Sequence, residues 1–485
     1  MDPIQLIQFD TAHQPRAYVN SSVRFHHIFS DADRLQAAKK AGWNVFQFPS
    51  EMLLGGDLLS DSGTTTLTAE QVAAMFLGDE AYGSNYGYFK LLESFAEVFG
   101  IPQEESEVFL FHQGRAAEHA LFTQVGKWGK GMIIPGNGHF DTTQANIECN
   151  QMTAVDLFLP ELKKSDYHPF KGNMDLERLE ALLKEKGDHI PMVYLTITNN
   201  TGGGQPVSLE NIRAVRKLCD EYGKPLFLDV CRFAENAWFI KNREEQYKNT
   251  PIPEIVHETF ALCDGFTVSL KKDGLTNMGG ALLIKRSSRI IKEHEALLND
   301  LRDHQILTEG HPTYGGMTGR DIMVIAEGLR TVVKEEYLNS RIGQVHAFGE
   351  YLEKNNVPVL TPFGGHAVYI DVNRFFEGTK HKPEDFGGVA LTALLLLKGV
   401  RLCELGAFAF GHWDKEQQKE VLPSNNFVRC AVPRNKYEIQ DLLYVADCVI
   451  ELHKKRHEIP RAVPVHGREL TLRHFKARFE LGEIK

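Results

Sequence analysis

The segment Thr267-Val-Ser-Leu-Lys-Lys-Asp-Gly-Leu-Thr-Asn-Met-Gly-Gly280 places two adjacent lysines where an apolar stretch gives way to glycines. The apolar residues before Lys271 are typical of a buried strand, and the glycines after Asn277 are typical of a turn. A lysine at such a strand end, beside a second ammonium group, loses its proton more readily, as a Schiff-base lysine must. The segment therefore predicts a sheet in which one strand ends in a reactive amine.

A second apolar stretch, Pro225-Leu-Phe-Leu-Asp-Val-Cys-Arg-Phe233, ends in an acid, Asp229, followed three residues later by Arg232. The carboxyl ends of parallel strands meet at one edge of a sheet, so Asp229 and the lysine pair are expected to share a crevice. Pyridoxal phosphate needs an amine for its aldehyde and a carboxylate for its pyridinium nitrogen. The two segments together indicate a pyridoxal phosphate site.

Short β-type runs alternate with helical patterns between about residues 105 and 285. This alternation predicts a mainly parallel sheet in an α/β fold. Ser208 is placed to cap a helix that spans Leu209–Tyr222 and ends at Gly223. The predicted strands are Val108–Phe111, Met132–Ile134, Met192–Thr198, Leu226–Leu228 and Ala281–Ile284.

After Gly315-Gly316 the pattern changes to longer helices between apolar strands, which predicts a second, smaller α+β domain. Its predicted helices are Ile322–Leu338, Ile342–Lys354 and Ile439–Lys455, and its predicted strands are Ala367–Ile370 and Phe427–Val432. The opening residues have no core of their own and are expected to pack on this domain or on a neighbouring subunit. We therefore predict an opening segment (1–55), a large domain (56–318) and a small domain (319–485).

The composition is that of a soluble globular protein, with 42% apolar and 24% charged residues among 485. The net charge of −10 is spread along the chain, so nothing indicates binding to nucleic acid or to a membrane surface. Seven cysteines without a CxxC pair argue against a disulfide framework or a zinc site and favour a reducing cytoplasm. The N-terminus does not resemble a secretory signal, and the longest apolar run, Val389–Leu397, is far shorter than the ~20 residues of a membrane span.

Two further segments are candidates for ligand contacts. His112-Gln-Gly-Arg-Ala-Ala-Glu-His-Ala120 follows a predicted strand and opens a helix, so its backbone N–H groups and Arg115 suit a phosphate, although Gln-Gly-Arg is also a common turn. With Ser269 it would form a cup for a 5′-phosphate. The stretch Asn199–Ser208 holds three consecutive glycines, which fit either a flexible turn or a close approach to a ligand. Because these glycines share a sheet edge with the lysine pair, the ligand site is favoured.

The chain also resembles the pyridoxal-phosphate-dependent β-eliminating lyases, whose two branches are tryptophanase and tyrosine phenol-lyase. The shared motifs run in family order from about residue 45 to the C-terminus, so the match is specific. They are Leu58-Leu-Ser-Asp-Ser-Gly-Thr64, Gly78-Asp-Glu-Ala-Tyr82, His112-Gln-Gly-Arg115, Phe140-Asp-Thr-Thr143, Gly203-Gly-Gln-Pro-Val-Ser208, Arg232-Phe-Ala-Glu-Asn236, Lys271-Lys-Asp273, Pro312-Thr-Tyr-Gly-Gly316, Pro433-Arg434 and Leu472-Arg-His-Phe475. The resemblance implies pyridoxal phosphate fold type I, like aspartate aminotransferase, with a mainly parallel sheet in the large domain.

The resemblance implies roles for the residues of the cofactor site. Lys272, the second lysine of the pair, would be the Schiff-base lysine, and Asp229 would face the pyridinium nitrogen. Asn200 and Arg232 would contact the 3-oxygen of the ring, on which Phe140 would stack. The phosphate cup would consist of Gln113, Gly114, Arg115 and Ser269.

Around the substrate, the resemblance implies that Arg434, with Ser60 assisting, holds the α-carboxylate, a task that suits a planar guanidinium. Otherwise Arg434 would be a surface arginine after a strand. Tyr82 would pass a proton to the leaving group, or else be a core tyrosine. The resemblance also implies a potassium site that comprises Glu80 and the backbone carbonyls of Gly63 and Asn277. Otherwise Glu80 would be an ordinary carboxylate at a helix end.

Three positions resemble the tryptophanase branch. Asp141 can pair with an indole N–H, whereas the phenol branch has threonine there. His474 stands where the phenol branch has phenylalanine, and Leu405 stands where that branch carries an arginine near the phenol ring. All three positions favour an indole leaving group.

The chain departs from the family pattern at three places. Leu270 replaces a small residue before the lysine pair, His311 replaces an apolar residue before Pro-Thr-Tyr, and Thr318-Gly-Arg-Asp321 replaces a leucine-glutamate-diglycine run. The bulky Leu270 is expected to narrow the pocket or to shift its specificity.

The resemblance implies β-elimination, most closely of L-tryptophan to indole, pyruvate and ammonia, in an enzyme of tryptophan catabolism. Two alternatives stay open: a β-eliminating or β-replacing lyase that acts on tyrosine, serine or an S-alkylcysteine, and a protein that binds pyridoxal phosphate without turnover. A homotetramer (dimer of dimers) with active sites at subunit interfaces is also implied.

Overall fold

The computed structural model describes residues 23–163 and 167–484, and its central feature is a seven-stranded sheet. In the sheet order β1-β7-β6-β5-β4-β2-β3, every strand is parallel to the others except β7, which is antiparallel to both of its neighbours. The predicted mainly parallel sheet is therefore confirmed. The strands are Ser106–Phe111 (β1), Ile133–Gly136 (β2), Thr153–Asp156 (β3), Val193–Thr196 (β4), Leu226–Asp229 (β5), Gly265–Ser269 (β6) and Gly280–Lys285 (β7).

The register of this sheet aligns the strand ends. Thr196 pairs with Asp229, and Asp229 pairs with Thr267, so β4, β5 and β6 end side by side. The antiparallel β7 begins at Gly280, opposite Ser269 and the end of β1. Polar groups that follow these strands consequently meet along one edge.

Both faces of the sheet are buried, which explains the near-continuous apolar strand sequences. Successive residues alternate between two hydrophobic clusters: Leu226 and Leu228 belong to one, and Phe227 belongs to the other. The helices of this part of the chain are Ala69–Leu77, Tyr86–Phe99, Gly114–Val125, Asp141–Cys149, Leu176–Lys186, Leu209–Glu221, Phe233–Arg243, Ile252–Ala261, Arg289–Glu293 and Leu297–Glu309. Ser208 caps its helix as predicted, because its side chain accepts the N–H of Asn211.

A separate hydrophobic cluster unites the C-terminal part of the chain around a three-stranded antiparallel sheet. The sheet has the order β9-β10-β8, with strands Ala367–Asp371 (β8), Cys403–Leu405 (β9) and Phe427–Ala431 (β10). Its helices are Gly319–Val332, Glu335–Lys354, Val372–Phe375, Gly387–Leu395 and Ile439–Lys454. Two antiparallel pairs complete it, His412–Asp414 with Lys419–Val421 and Arg461–His466 with Arg478–Gly482.

The prediction of one helix over Ile322–Leu338 is wrong. Thr318 and Asp321 form a capping box that starts the first helix at Gly319, and a second helix starts at Glu335. The break follows a β-branched run ending at Val333, which disfavours helix, and precedes two acids that favour a new helix N-terminus.

The described part of the opening segment packs on the C-terminal part of the chain. Helix Asp31–Lys40 contributes Ala38 to a small apolar cluster that includes Leu396. Directly after the opening segment, strand Gly56–Asp57 pairs in parallel with Val400–Arg401. Residues 1–22 lie outside the described part, and the three domain limits remain predictions. Across 23–163 and 167–484, none of the helices has the length and apolar character of a membrane span.

Candidate active site

A pocket with about 590 Å³ of empty space, part of it open solvent, lies at the carboxyl ends of the central strands. Every residue predicted to bind the cofactor lines it: Gln113, Gly114, Arg115, Phe140, Asn200, Asp229, Arg232, Ser269 and Lys272. Sequence reasoning did not assign the other lining residues, which are Ser62, Glu118, Thr142, Thr143, Cys231, Thr267 and Lys271. Segments that are far apart in sequence therefore converge on one crevice, while their individual roles remain predictions.

The start of helix Gly114–Val125 forms the part of the pocket that suits a phosphate. The first N–H groups of a helix have no partner within it and attract anions. Gly114 approaches Ser269 so closely that an added Cβ would lie 2.6 Å from the Ser269 Cβ. A side chain at Gly280 would likewise collide with the backbone of Gln113. Only glycine permits this approach, which leaves a cradle of backbone atoms.

Both lysines of the pair line the pocket. Burial, and then the positive charges of Arg115 and Lys272, lower the pKa of Lys271. The Lys271 carbonyl accepts the N–H of Gly63 at 2.8 Å, which fixes the backbone beside the reactive pair. The clustered positive charges favour an anionic group at this end of the pocket.

Two buried carboxyl groups, Asp229 and Glu118, also line the pocket. Asp229 accepts the N–H of Cys231 at 3.2 Å. Glu118 accepts the hydroxyl of Thr143 at 2.6 Å. Burial, and then the negative charge of Asp229, raise the pKa of Glu118 to about 8, so Glu118 is mostly neutral at pH 7. Glu118 lies one helical turn after Gly114, a spacing that could have placed it on the pocket face from the sequence.

Arg434 lies in a buried network of charges and does not line the pocket. Its side chain is 1% exposed and donates to Asp61 (3.0 Å), Glu235 (2.8 Å) and Asp273 (2.7 Å). Arg232 holds the same Asp61 through two bonds of 3.0 and 2.8 Å. The alternative of a surface arginine is therefore wrong for Arg434. The sequence predicted that this guanidinium binds the substrate carboxylate. In the structure it is already paired with three carboxylates of the protein itself.

This network shifts the pKa of its acids in opposite directions. Burial alone would raise the pKa of Asp61, but the charges led by Arg232 outweigh it and hold that pKa well below its usual value. Burial raises the pKa of Asp273 to about 6 despite the charge of Arg434. A proton therefore neutralises Asp273 more easily than Asp61. Ser60, the predicted assistant, adjoins Asp61 and accepts the N–H of Ser62 at 3.1 Å.

Asn200 is held in one orientation by donors to its side-chain oxygen. Tyr369 donates to Oδ1 at 2.7 Å, His366 at 3.2 Å and Arg429 at 3.3 Å. The amide nitrogen is then the group that can donate to a ligand oxygen. This orientation suits the predicted contact with a ring oxygen.

The structure brings together the residues that favoured an indole leaving group. His474 Nε2 lies 3.1 Å from Asp141 Oδ2, and both side chains are buried. Asp141 also accepts the N–H of Thr142 at 2.6 Å. The His474 ring contacts Phe46 at a centroid distance of 5.7 Å. Leu405 belongs to a cluster against which Phe46 packs, so an apolar wall adjoins the acid–imidazole pair. Phe46 lies before the first matched motif, and sequence reasoning missed it.

Tyr82 and Glu80 lie apart from this pocket. Tyr82 is 74% exposed, so the alternative of a core tyrosine is wrong. Its ring contacts His311 at 5.6 Å, and Glu80 pairs with Arg320. Both partners belong to the positions where the chain departs from its family pattern. Gly63 and Asn277, in contrast, contact each other through a bond of 3.1 Å from the Asn277 side-chain amide to the Gly63 carbonyl, and the potassium site remains a prediction.

The expectation that Leu270 narrows the pocket is wrong. Leu270 is fully buried in the main hydrophobic cluster and does not line the pocket. Its Cβ lies 3.3 Å from the position that a Cβ on Gly279 would occupy, beside Ile325 and Met317. Leu270 directly follows the end of β6, in the turn that carries the lysine pair, and its side chain enters the hydrophobic cluster while Lys272 lines the pocket.

The residues present fit pyridoxal phosphate. Lys272 would supply the amine, Asp229 the carboxylate, Phe140 a flat apolar surface and Gly114 the backbone cradle that any side chain would fill. A transition-metal site finds no such support, since no cluster of three or more His, Cys, Asp or Glu residues suited to a metal ion exists within 23–163 and 167–484.

Comparison with known proteins agrees with this chemistry. The family model described as beta-eliminating lyase matches residues 57–448. The chain is 42% identical to a tryptophanase of Rhodobacter capsulatus over 95% of its own length and 97% of the relative. It is 40% identical to a tyrosine phenol-lyase of Intrasporangium calvum, over 92% and 91%. Among solved structures, threonine aldolase of Leishmania major shares the fold with a TM-score of 0.55 at 15% identity, covering 82% of this chain and 99% of that one. The chain belongs to the β-eliminating lyases, the pyridoxal-phosphate-dependent carbon–carbon lyases of fold type I.

Proposed function

We propose that the protein cleaves L-tryptophan into indole, pyruvate and ammonia. The observation that carries this proposal is the buried pair of Asp141 and His474 beside an apolar wall. Asp141 stands in sequence between Phe140 and Thr142, which both line the pocket, so the pair adjoins the reaction site. A carboxylate or imidazole can bind an indole N–H, and the apolar wall suits the rest of the ring. The tryptophanase relatives support the same substrate.

The residues around the cofactor have defined tasks in this proposal. Pyridoxal phosphate, when bound, supplies an electron sink for the negative charge that develops at the substrate Cα. Lys272 Nζ would carry the cofactor and, once released, take the Cα proton. Asp229 would keep a proton on the pyridine nitrogen. Glu118, mostly neutral at pH 7, would add little second negative charge there.

Arg434, assisted by Ser60, would hold the α-carboxylate of the substrate. Both terminal nitrogens of Arg434 are paired with carboxylates, so a substrate carboxylate bound through either of them would take the place of at least one partner. Asp273 is more easily neutralised than Asp61, since burial raises the pKa of Asp273 to about 6. We therefore place the exchange at Asp273, with Asp61 kept charged by Arg232.

Tyr82 would pass a proton to the leaving group from a neighbouring copy of the chain. Tyr82 is exposed and does not line the pocket of its own chain. These two observations support a homotetramer, arranged as a dimer of dimers, with active sites at subunit interfaces. Phe76 (80%), Leu77 (67%), Tyr86 (49%) and Phe89 (50%) are also exposed, and such apolar surface is typical of an interface. Potassium would join Glu80 to Gly63 and Asn277 across the same interface.

We place the enzyme in the cytoplasm. All seven cysteines are free, and burial raises the pKa of several of them, among them Cys231, whose pKa it raises to about 12. Free thiols in this number suit a reducing compartment.

A second candidate is β-elimination or β-replacement on tyrosine, serine or an S-alkylcysteine. The similarity to a tyrosine phenol-lyase favours it. So do His311 and Arg320, which both depart from the family pattern and which contact Tyr82 and Glu80, respectively.

Product analysis separates the two candidates. The purified enzyme, saturated with pyridoxal phosphate, is given tryptophan, tyrosine, serine and S-methylcysteine in parallel, with Lys272→Ala as the inactive control. Equal amounts of indole and pyruvate from tryptophan, at the highest kcat/KM of the four, support the first candidate. Pyruvate from the other substrates without indole from tryptophan contradicts it and supports the second.

A further inference from the structure

Outside the pocket, a short chain of hydrogen bonds leads to the side chain of Gln113. Glu309, the last residue of helix Leu297–Glu309, extends a side chain that is only 5% exposed. Its Oε2 lies 2.6 Å from His112 Nδ1 and accepts the backbone N–H of His112 at 3.1 Å. His112 Nε2 in turn lies 3.0 Å from Gln113 Nε2. No role in the site has been assigned to Glu309 or His112.

The chemistry of these atoms fixes the direction of each bond. An amide nitrogen only donates, so His112 Nε2 must accept from Gln113. His112 Nδ1 then carries the ring hydrogen and donates it to Glu309, which selects one neutral tautomer. The Gln113 amide nitrogen has two hydrogens, and only one is used by His112. The second is left for a ligand in the pocket that Gln113 lines.

Within the described residues, no hydrogen bond other than the one to His112 holds the Gln113 side chain. It occupies the position before helix Gly114–Val125, yet its side chain forms no capping bond to that helix. Its backbone is packed against Gly280, and its neighbour Gly114 against Ser269, so the amide projects from a rigid strand end. A free glutamine side chain would lose rotamer entropy on binding a ligand, whereas one already held by His112 loses less.

We propose that His112 and Glu309 are positioning residues that hold the Gln113 amide in place for the 5′-phosphate of the cofactor. Neither residue lines the pocket, and both act through Gln113. The inference rests on the assignment of this pocket to pyridoxal phosphate. In this proposal, helix Leu297–Glu309 supports the phosphate cup through Glu309. The helix ends just before the Pro312-Thr-Tyr-Gly-Gly316 motif.

The test compares two ligands that differ only in the phosphate. The dissociation constants of pyridoxal phosphate and of pyridoxal are measured by titrating the apoprotein of the wild type, His112→Phe, Glu309→Gln and Glu309→Ala. We expect His112→Phe and Glu309→Ala to weaken pyridoxal phosphate about tenfold, the scale of one hydrogen bond to a charged group. Pyridoxal affinity should stay within about twofold. Glu309→Gln, whose carbonyl can still accept from His112, should fall between wild type and Glu309→Ala.

His119→Phe is the matched control, because His119 is an exposed histidine on the neighbouring helix, outside the pocket lining. It should bind both ligands like the wild type. Equal losses for pyridoxal and pyridoxal phosphate in the His112 and Glu309 variants would overturn the proposal, as would unchanged pyridoxal phosphate affinity. If His112→Phe does not fold, the two Glu309 variants decide. Since the readout is cofactor affinity, absence of indole production would refute the proposed substrate without affecting this result.

Discussion

At the scale of single residues, the buried Glu118 makes the sharpest electrostatic prediction. Its folded pKa of about 8 lies above the usual 4.5, so the folded protein binds a proton that the unfolded chain releases. Its contribution to stability is full below pH 4.5 and is lost as the pH rises towards 8. In Glu118→Gln this loss is absent. The unfolding free energy of the apoprotein, measured by denaturant titration, should therefore favour the variant increasingly over that pH window.

Glu377→Gln is the control for this measurement, since Glu377 is exposed. It should show no such trend against the wild type. A constant difference between Glu118→Gln and the wild type from acid to alkaline pH would show that Glu118 is not held neutral by its surroundings.

A second residue-scale prediction concerns the pair of Asp141 and His474. In Asp141→Asn or His474→Phe, kcat/KM for tryptophan should fall about 100-fold, the upper range for losing a hydrogen bond between a charged group and the indole N–H. Elimination from S-methylcysteine should change little, because its leaving group offers no N–H. The double variant should lose no more than about threefold beyond the worse single variant, since the two side chains act as a unit. Parallel losses with both substrates would assign the pair to general structure instead.

The residues also show where sequence reasoning reached its limit. All residues that the resemblance assigned to the cofactor line one pocket, because their motifs lie at strand ends that the sheet register aligns. The resemblance did not reveal that Arg434 is enclosed by Asp61, Glu235 and Asp273, since burial by distant segments leaves no local pattern. Leu270 was misjudged because a position two residues before Lys272 belongs to the hydrophobic cluster and not to the pocket lining, which depends on how the turn folds and not on sequence proximity.

At the scale of elements, the approach of the Gly114 helix to the end of β6 is the critical contact. Gly114→Ala would drive a Cβ to 2.6 Å from the Ser269 Cβ and 2.9 Å from its Cα. We expect a loss of about 1–3 kcal/mol in unfolding free energy, together with weakened cofactor binding. Gly187→Ala is the control, because nothing lies within 4 Å of its added Cβ. Both quantities are read from denaturant titration of the apoprotein and from cofactor titration.

A different outcome would change the account of the cup. If Gly114→Ala binds the cofactor as the Gly187→Ala control does, the backbone cradle does not hold the phosphate.

The strands and helices themselves were largely predictable, since apolar runs and caps such as Ser208 are local signals. The break before Glu335 was not predicted, because a continuous apolar pattern masked the β-branched run at Val333.

At the scale of the whole molecule, the exposed apolar residues near Tyr82 predict self-association. Phe76→Glu should shift the protein to a smaller species in light scattering, because a charge at an apolar interface is costly. It should also reduce tryptophan turnover, since Tyr82 of one copy is proposed to serve another. Val465→Glu, a change at another exposed apolar position (53%), is the control. A wild type that is monomeric at all concentrations, yet active, would refute this arrangement.

The central claim is that this crevice binds pyridoxal phosphate through Lys272. The most direct test adds the cofactor to the purified protein, reduces the product with borohydride and locates the modified peptide by mass spectrometry. We predict a single reduced adduct on Lys272, none on the adjacent Lys271, and none anywhere in Lys272→Ala. An adduct on Lys271, or no stable adduct in the wild type, would contradict the account.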